Sequence, residues 1–218
     1  MNLIMKQMPV VVSALNVGFL QTLKLFIVTL VGALPLGLVI AFGSMSHFKP
    51  LSWLARLIVW VIRGTPLMIQ LLIMYYVIFK SVNVDKVFVA VIAFAINSGA
   101  YVAEIFRSGM MSIDNGQFEA GRSLGLSYRI TMLFIVLPQA VKNVLPALCN
   151  EFITLLKETS ICGYIGLNDL TRGGDIIRSN TFDAFMPLIL VAVIYLIFVE
   201  LLSMAVSKME RSLRKNER

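Results

Sequence analysis

Asn97 is followed at four, seven and eleven positions by Tyr101, Glu104 and Ser108, a spacing that lines one face of a helix. Asn150, Thr154 and Lys157 repeat the pattern further on, with Glu151 and Glu158 on the neighbouring face. An ionisable side chain such as Glu104 in an apolar helix is costly unless it faces a cavity or a partner. Two such faces, carrying acids, amides and a lysine, suit a zwitterionic ligand. Its ammonium needs carboxylates or carbonyls, and its carboxylate needs donors such as Asn, Tyr or Lys. Gln70 could face the same space. A second reading stays open at this point, in which these groups only bond one another, Lys157 pairs with a nearby Glu, and the network fixes helix packing. No catalytic constellation accompanies them. His47 is the only histidine, which leaves no His-based triad and no multi-His metal site. The chain has no G-x-x-x-x-G-K-[ST] run, so it is not expected to bind or hydrolyse ATP, or to carry a cofactor of its own.

The elements that must position these residues are apolar. Hydrophobic residues make up 58% of the 218, charged residues only 14%, and the mean hydropathy is +0.85. A soluble domain carries roughly 25% charged residues. The expected fold is therefore all-α, a single polytopic membrane helix bundle over residues 1–218 with about five spans. Residues 25–48 contain no Asp, Glu, Lys or Arg and lie in a first span of about 18–43, with Lys24 snorkelling near its start. Residues 1–16 read as a short surface-lying segment. Lys49, Arg56 and Arg63, with Trp53 and Trp60 between them, suit an interfacial helix.

A second span is expected over about 66–79, capped by Thr65 with Pro66 at its first position. A third covers about 87–105. A polar loop follows over about 107–138, with Asp114 as a cap and Gly125 and Ser127 marking a stop and a restart. The fourth span is expected over about 141–157, after a loop helix ending near Pro138. A loop with Gly163, Gly166, Gly173 and Gly174 comes next, and then a fifth span over about 185–206 capped by Asp183.

The basic residues set an orientation. Lys49, Arg56 and Arg63, then Arg107, Arg122 and Arg129, and a tail with Lys208, Arg211, Arg214, Lys215 and Arg218 fall on one side. The other side holds Lys6, Lys80, Lys86, Arg172 and Arg178. The excess favours an external amino terminus and a cytoplasmic carboxyl terminus. In this setting the net charge of +7 speaks for membrane topology and not for nucleic acid. Cys149 and Cys162 form no disulfide framework and read as packing residues.

The polar loop has a recognisable pattern. Glu119-Ala120-Gly121, Gly125, Ile135 and Leu137-Pro138 resemble the Glu-Ala-Ala-x3-Gly-x9-Ile-x-Leu-Pro loop of membrane subunits of bacterial ABC importers. The departure is Gly121, where the pattern has Ala. Three further runs, in order along the chain, are similar to polar amino acid permeases of the histidine, glutamine or arginine type. They are Arg63-Gly64-Thr65-Pro66 with Gln70, Asn97-Ser98-Gly99-Ala100-Tyr101 with Glu104 and Arg107, and Asn150-Glu151-Phe152 with Leu155-Leu156-Lys157 and Thr159-Ser160.

The resemblance implies an ABC importer type I transmembrane fold in the bacterial inner membrane. It implies two permease subunits, identical or related, two cytoplasmic ATPase subunits that bind ATP and Mg, and an extracytoplasmic binding protein that delivers the amino acid. A helix of about 117–124 would sit in a groove of the ATPase, with Glu119 and Arg122 making polar contacts and Gly125 turning the chain. The ligand would lie between the third and fourth spans. Glu104 or Glu151 would take the ammonium or a basic side chain, and Asn97 and Tyr101 the carboxylate, with Ser98, Gln70, Thr154 and Lys157 nearby. The competing expectation is a proton-coupled secondary amino acid transporter using Glu104 or Glu151. Against it stand the short chain and the lack of an inverted repeat.

Overall fold

The computed structural model describes residues 8–215. Among these the chain is helical and contains no strand. α1 (Met8–Ser44) contains the first span, α2 (Lys49–Arg63) follows it, and α3 (Leu67–Ile73) is a short helix that runs on as a π segment, Met74–Ile78. α4 (Lys86–Met111) is the central helix and α5 (Gly116–Ser123) lies in the polar loop. α6 (Tyr128–Thr131), a π segment (Met132–Val136), α7 (Leu137–Glu158) and a 3-10 segment (Thr159–Ile165) join into one long rod. α8 (Leu170–Thr181) and α9 (Phe185–Lys215) complete the chain.

Four stretches are long and apolar enough to cross a membrane: Val11–Ser44, Lys86–Met111, Tyr128–Ile165 and Phe185–Arg211. A fifth crossing exists only where a bent pair of helices counts as one span. α2 and the α3 rod, Leu67–Ile78, meet at 103°. The rod's twelve residues reach only about 18 Å, short of the roughly 30 Å hydrocarbon core. The expected second span is thus half of a bent pair. Gln70 builds the corner. Its Nε2 donates to the Ile62 carbonyl (2.8 Å) and to Thr65 Oγ1 (2.7 Å), and its Oε1 accepts from Asn97 Nδ2 of α4 (3.0 Å). Thr65 therefore does not cap α3; its hydroxyl donates back to the Val61 carbonyl.

α4 packs into the middle of the bundle through small residues. A Cβ added at Gly37 of α1 would meet Val102 at 2.5 Å and the Gly99 carbonyl at 2.8 Å. Gly32, Ala33 and Gly37 on α1, against Ala95 and Gly99 on α4, let the two backbones approach where side-chain hydrophobicity drives nothing in lipid. The main core, Leu25, Leu71, Phe94, Leu155, Leu156 and Cys162 among others, joins α1 and α4 to α3, α7 and the 3-10 segment. Both cysteines are free.

Several boundaries differ from expectation for identifiable reasons. α1 begins at Met8 with no break at Gly18, so residues 8–16 are part of the first helix; residues 1–7 lie outside the described residues, Lys6 among them. Pro138 does not end the loop helix. The π segment before it passes the Leu137 N–H to the Met132 carbonyl, five residues back, and absorbs the missing donor and the ring. The expected fourth span is consequently part of a continuous helix from Tyr128.

Gly173 and Gly174 are helical too, and they mark packing, not a loop. A Cβ at Gly173 would meet the Ala14 carbonyl at 2.8 Å, and one at Gly174 would meet Val191 at 2.6 Å, so α8 is wedged between α1 and α9. Asp169 caps α8, accepting from the Thr171 and Arg172 N–H groups at 3.2 and 3.1 Å. It lies between spans, and burial pushes its carboxyl up to about 6 against those bonds. Asp183 caps α9 as expected, accepting from the Phe185 N–H at 2.9 Å, and α9 runs past 206 to Lys215. The expected tail is therefore helical as far as the structure describes it, and Arg218 lies outside the described residues. α9 and α2 expose long apolar faces, including Trp53, Trp60, Leu196 and Ile197, as helices facing lipid or another span do.

Candidate functional site

The polar face of α4 opens onto a cavity of about 990 Å³. Tyr101, Glu104 and Ser108 line it from α4, Ser112 from just past its end, Arg63 from the end of α2, Lys142 and Asn143 from α7, and Glu210 from α9. The wall carries both signs of charge. α4 reaches it because its opposite face is the small-residue seam against α1. α7 reaches it because Gly109 of α4 lies against Val144, leaving no room for a Cβ there.

Two of the expected binding residues, Tyr101 and Glu104, stand in this wall. Glu104 is already engaged. Its Oε2 accepts from Arg107 Nε at 2.9 Å and its Oε1 from Arg107 Nη2, one turn along the same helix. Arg63 Nη1 lies 3.8 Å from Glu104 Oε1, and its guanidinium carbon is 5.1 Å above the Tyr101 ring.

The other expected residues sit elsewhere. Asn97 is buried with its amide donor committed to Gln70, while its Oδ1 is buried without a partner. Ser98 donates to Glu151 Oε1 at 2.9 Å, a side-chain bond that ties α4 to α7. Thr154 donates to the Asn150 carbonyl of its own helix at 3.1 Å, and Lys157 is exposed. The two faces read from the sequence therefore split. The half of α4 nearer Lys86 holds a bonded packing network, and the half beyond Tyr101 faces open space.

Arg63, Lys142, Asn143 and Glu210 were not picked out as site residues by sequence reasoning. A signal existed for two of them. Arg63 opens a singled-out run, and Glu210 is an acid inside an otherwise basic stretch between Lys208 and Arg211.

The polar loop forms a second site. Asp114 Oδ1 accepts from the Gly116 N–H at 2.8 Å as α5 begins. The helix ends in a Schellman turn, with Leu126 N–H to the Gly121 carbonyl, Gly125 N–H to the Arg122 carbonyl, and Gly125 at φ +74°. Ser127 restarts the chain by accepting from the Ile130 N–H at 3.4 Å. Phe118 stacks on Tyr128, with ring centroids 5.6 Å apart. Glu119, Ala120 and Arg122 are exposed, and Gly121 is buried against Thr131.

A bundle of membrane-crossing helices with a charged internal cavity and a capped, exposed loop helix defines a membrane-embedded transport subunit. The comparisons agree on its kind. Residues 33–215 match the family described as the inner membrane component of binding-protein-dependent transport systems, and the chain belongs to that family. It is 40% identical over 202 residues to the arginine transport system permease protein ArtQ of Bacillus subtilis, covering 92% of each chain. It is 38% identical over 201 residues to a putative glutamine transport system permease protein, GlnP, of Rickettsia typhi, covering 91% of this chain and 92% of the relative. Among solved structures it superposes at a TM-score of 0.87, with 43% identity and 96% of both chains covered, on an amino acid ABC transporter crystallised with histidines. It also matches the inward-facing MetNI methionine ABC transporter at a TM-score of 0.68 and 20% identity, a likeness of fold alone. The protein is thus a multi-pass inner-membrane permease subunit of the amino acid ABC importer class.

Proposed function

We propose that this chain forms half of the path by which a polar or basic amino acid, handed over by an extracytoplasmic binding protein, crosses the membrane at the expense of ATP. Two permease subunits, identical or related, enclose the path, and a pair of cytoplasmic ATPase subunits binds ATP and Mg and drives it. The observation that carries this reading is the pairing, on one chain, of a mixed-charge cavity with an exposed loop helix held at the end of α4. The relatives' names, arginine and glutamine, and the histidines in the similar crystal structure support a polar amino acid as cargo.

In this reading the amino terminus is outside, the carboxyl terminus and α5 are cytoplasmic, and α5 sits in a groove of the ATPase. Closure of the ATPase pair on ATP pushes α5, and α4 and the α6–α7 rod move with it. The cavity then alternates between inward and outward openings. Transport follows only where the two states bind the amino acid with different affinity. Membership of a binding-protein-dependent family leaves no observation in favour of proton coupling at Glu104 or Glu151.

Glu119 is exposed in the first turn of α5 and makes no fold contact that a substitution would break. Replacing Glu119→Lys should weaken capture of the ATPase by roughly tenfold, the scale of a reversed interfacial charge, with the bundle still folded. Co-purification with the ATPase measures it, and a normal yield would remove Glu119 from the docking surface.

A further inference from the structure

Arg63 ends α2 at the lip of the bend, its side chain 39% exposed, on the cavity wall. Its guanidinium lies over the Tyr101 ring. A guanidinium over an aromatic ring is held by its charge and still has N–H donors to offer. The acid beside it, Glu104, is 3.8 Å away, beyond hydrogen-bond length. Both oxygens of that acid are occupied by Arg107. Among the described residues the Arg63 guanidinium donates no hydrogen bond; it lies loosely beside Glu104 and over the Tyr101 ring, and its charge also reaches Glu151. The Glu104–Arg107 pair is neutral, and Arg63 stands beside it as a positive charge held by no close hydrogen-bonded acid.

A cation steadied by a ring, with N–H donors to offer toward a wet cavity, is suited to grip a planar anion with two parallel hydrogen bonds. Of the two donors that the resemblance put forward for this task, Asn97 is committed to Gln70, and Tyr101 lies in the cavity wall under Arg63 itself. We infer that Arg63 holds the carboxylate of the transported amino acid and that Tyr101 is the positioning residue for its guanidinium. This rests on the importer reading above and gives it a specific contact. A carboxylate anchor recognises what all amino acids share, so the discriminating probe is loss of the carboxylate and not a change of side chain.

The test is equilibrium binding of L-arginine, L-glutamine and their α-carboxamides to the purified permease–ATPase complex without binding protein. The wild type should bind at least one of the two acids about tenfold or more tighter than its amide. Arg63→Gln should weaken binding of that acid about 10–100-fold, the worth of hydrogen bonds to a charged group, and change the amide little, so that discrimination collapses. Arg63→Lys, a point charge without the fork, should fall between. If Arg63→Gln fails to assemble, Arg63→Lys decides alone. Undiminished discrimination in the folded variant overturns the inference, as does a wild type that binds neither acid or treats acid and amide alike. ATP-driven uptake by the wild-type complex in liposomes, measured alongside, separates the two ideas. Uptake together with unaltered discrimination in the variants sinks only the role of Arg63, whereas absent uptake sinks the importer itself.

Discussion

Gln70 and Glu104 were read from the sequence as residues of one pocket, and their surroundings give them different work. Gln70 spends its amide on the α2–α3 corner and on Asn97. Replacing Gln70→Leu removes these bonds and leaves the buried Asn97 amide without a partner. The expected cost is about 1–3 kcal/mol, read as a lower unfolding temperature of the solubilised chain; an unchanged temperature would mean the corner is held by packing alone. Glu104 was legible as a residue facing a cavity because an acid on an apolar helix must face something. That Arg107 had already taken both its oxygens was not legible. Spacing on one helix reports which residues share a face, not which of them find partners. The bond between Ser98 and Glu151 joins positions 53 apart in sequence, beyond what any local pattern encodes.

At the scale of elements, hydropathy marks apolar stretches but not what interrupts them. Pro138 reads as a boundary and is instead bridged by a π segment, and Gly173 and Gly174 read as loop and are packing notches. Proline and glycine mark breaks in soluble proteins, whereas packed membrane helices use them for close approach and local rewinding. Gly121, the departure from the loop pattern, has the same explanation. A Cβ there would lie 2.5 Å from Thr131 Oγ1 and 2.8 Å from its Cγ2. Gly121→Ala should therefore loosen α5 against α6 and lower transport, despite the better helix propensity of Ala. Thr131→Ala made in the same chain should restore it. A double variant no better than Gly121→Ala alone, in ATPase coupling or in uptake, would show that the clash is not what Gly121 avoids.

The whole molecule joins a mixed-charge cavity between α4 and α7 to a loop helix at one end of the same elements. Its class was legible because composition excluded a soluble domain and four motifs stood in order along the chain. The 103° angle between α2 and the α3 rod was not, since turn residues mark where helices stop and restart but not the angle between them. The account's central claim is that α5 couples ATP hydrolysis outside the membrane to movement of an amino acid within it. The most direct measurement is uptake of labelled arginine, glutamine and histidine into liposomes that hold this chain with its ATPase, any partner permease and its binding protein. The account predicts accumulation that requires ATP and the loaded binding protein and is indifferent to a protonophore. Uptake that follows an imposed proton gradient and ignores ATP would contradict it.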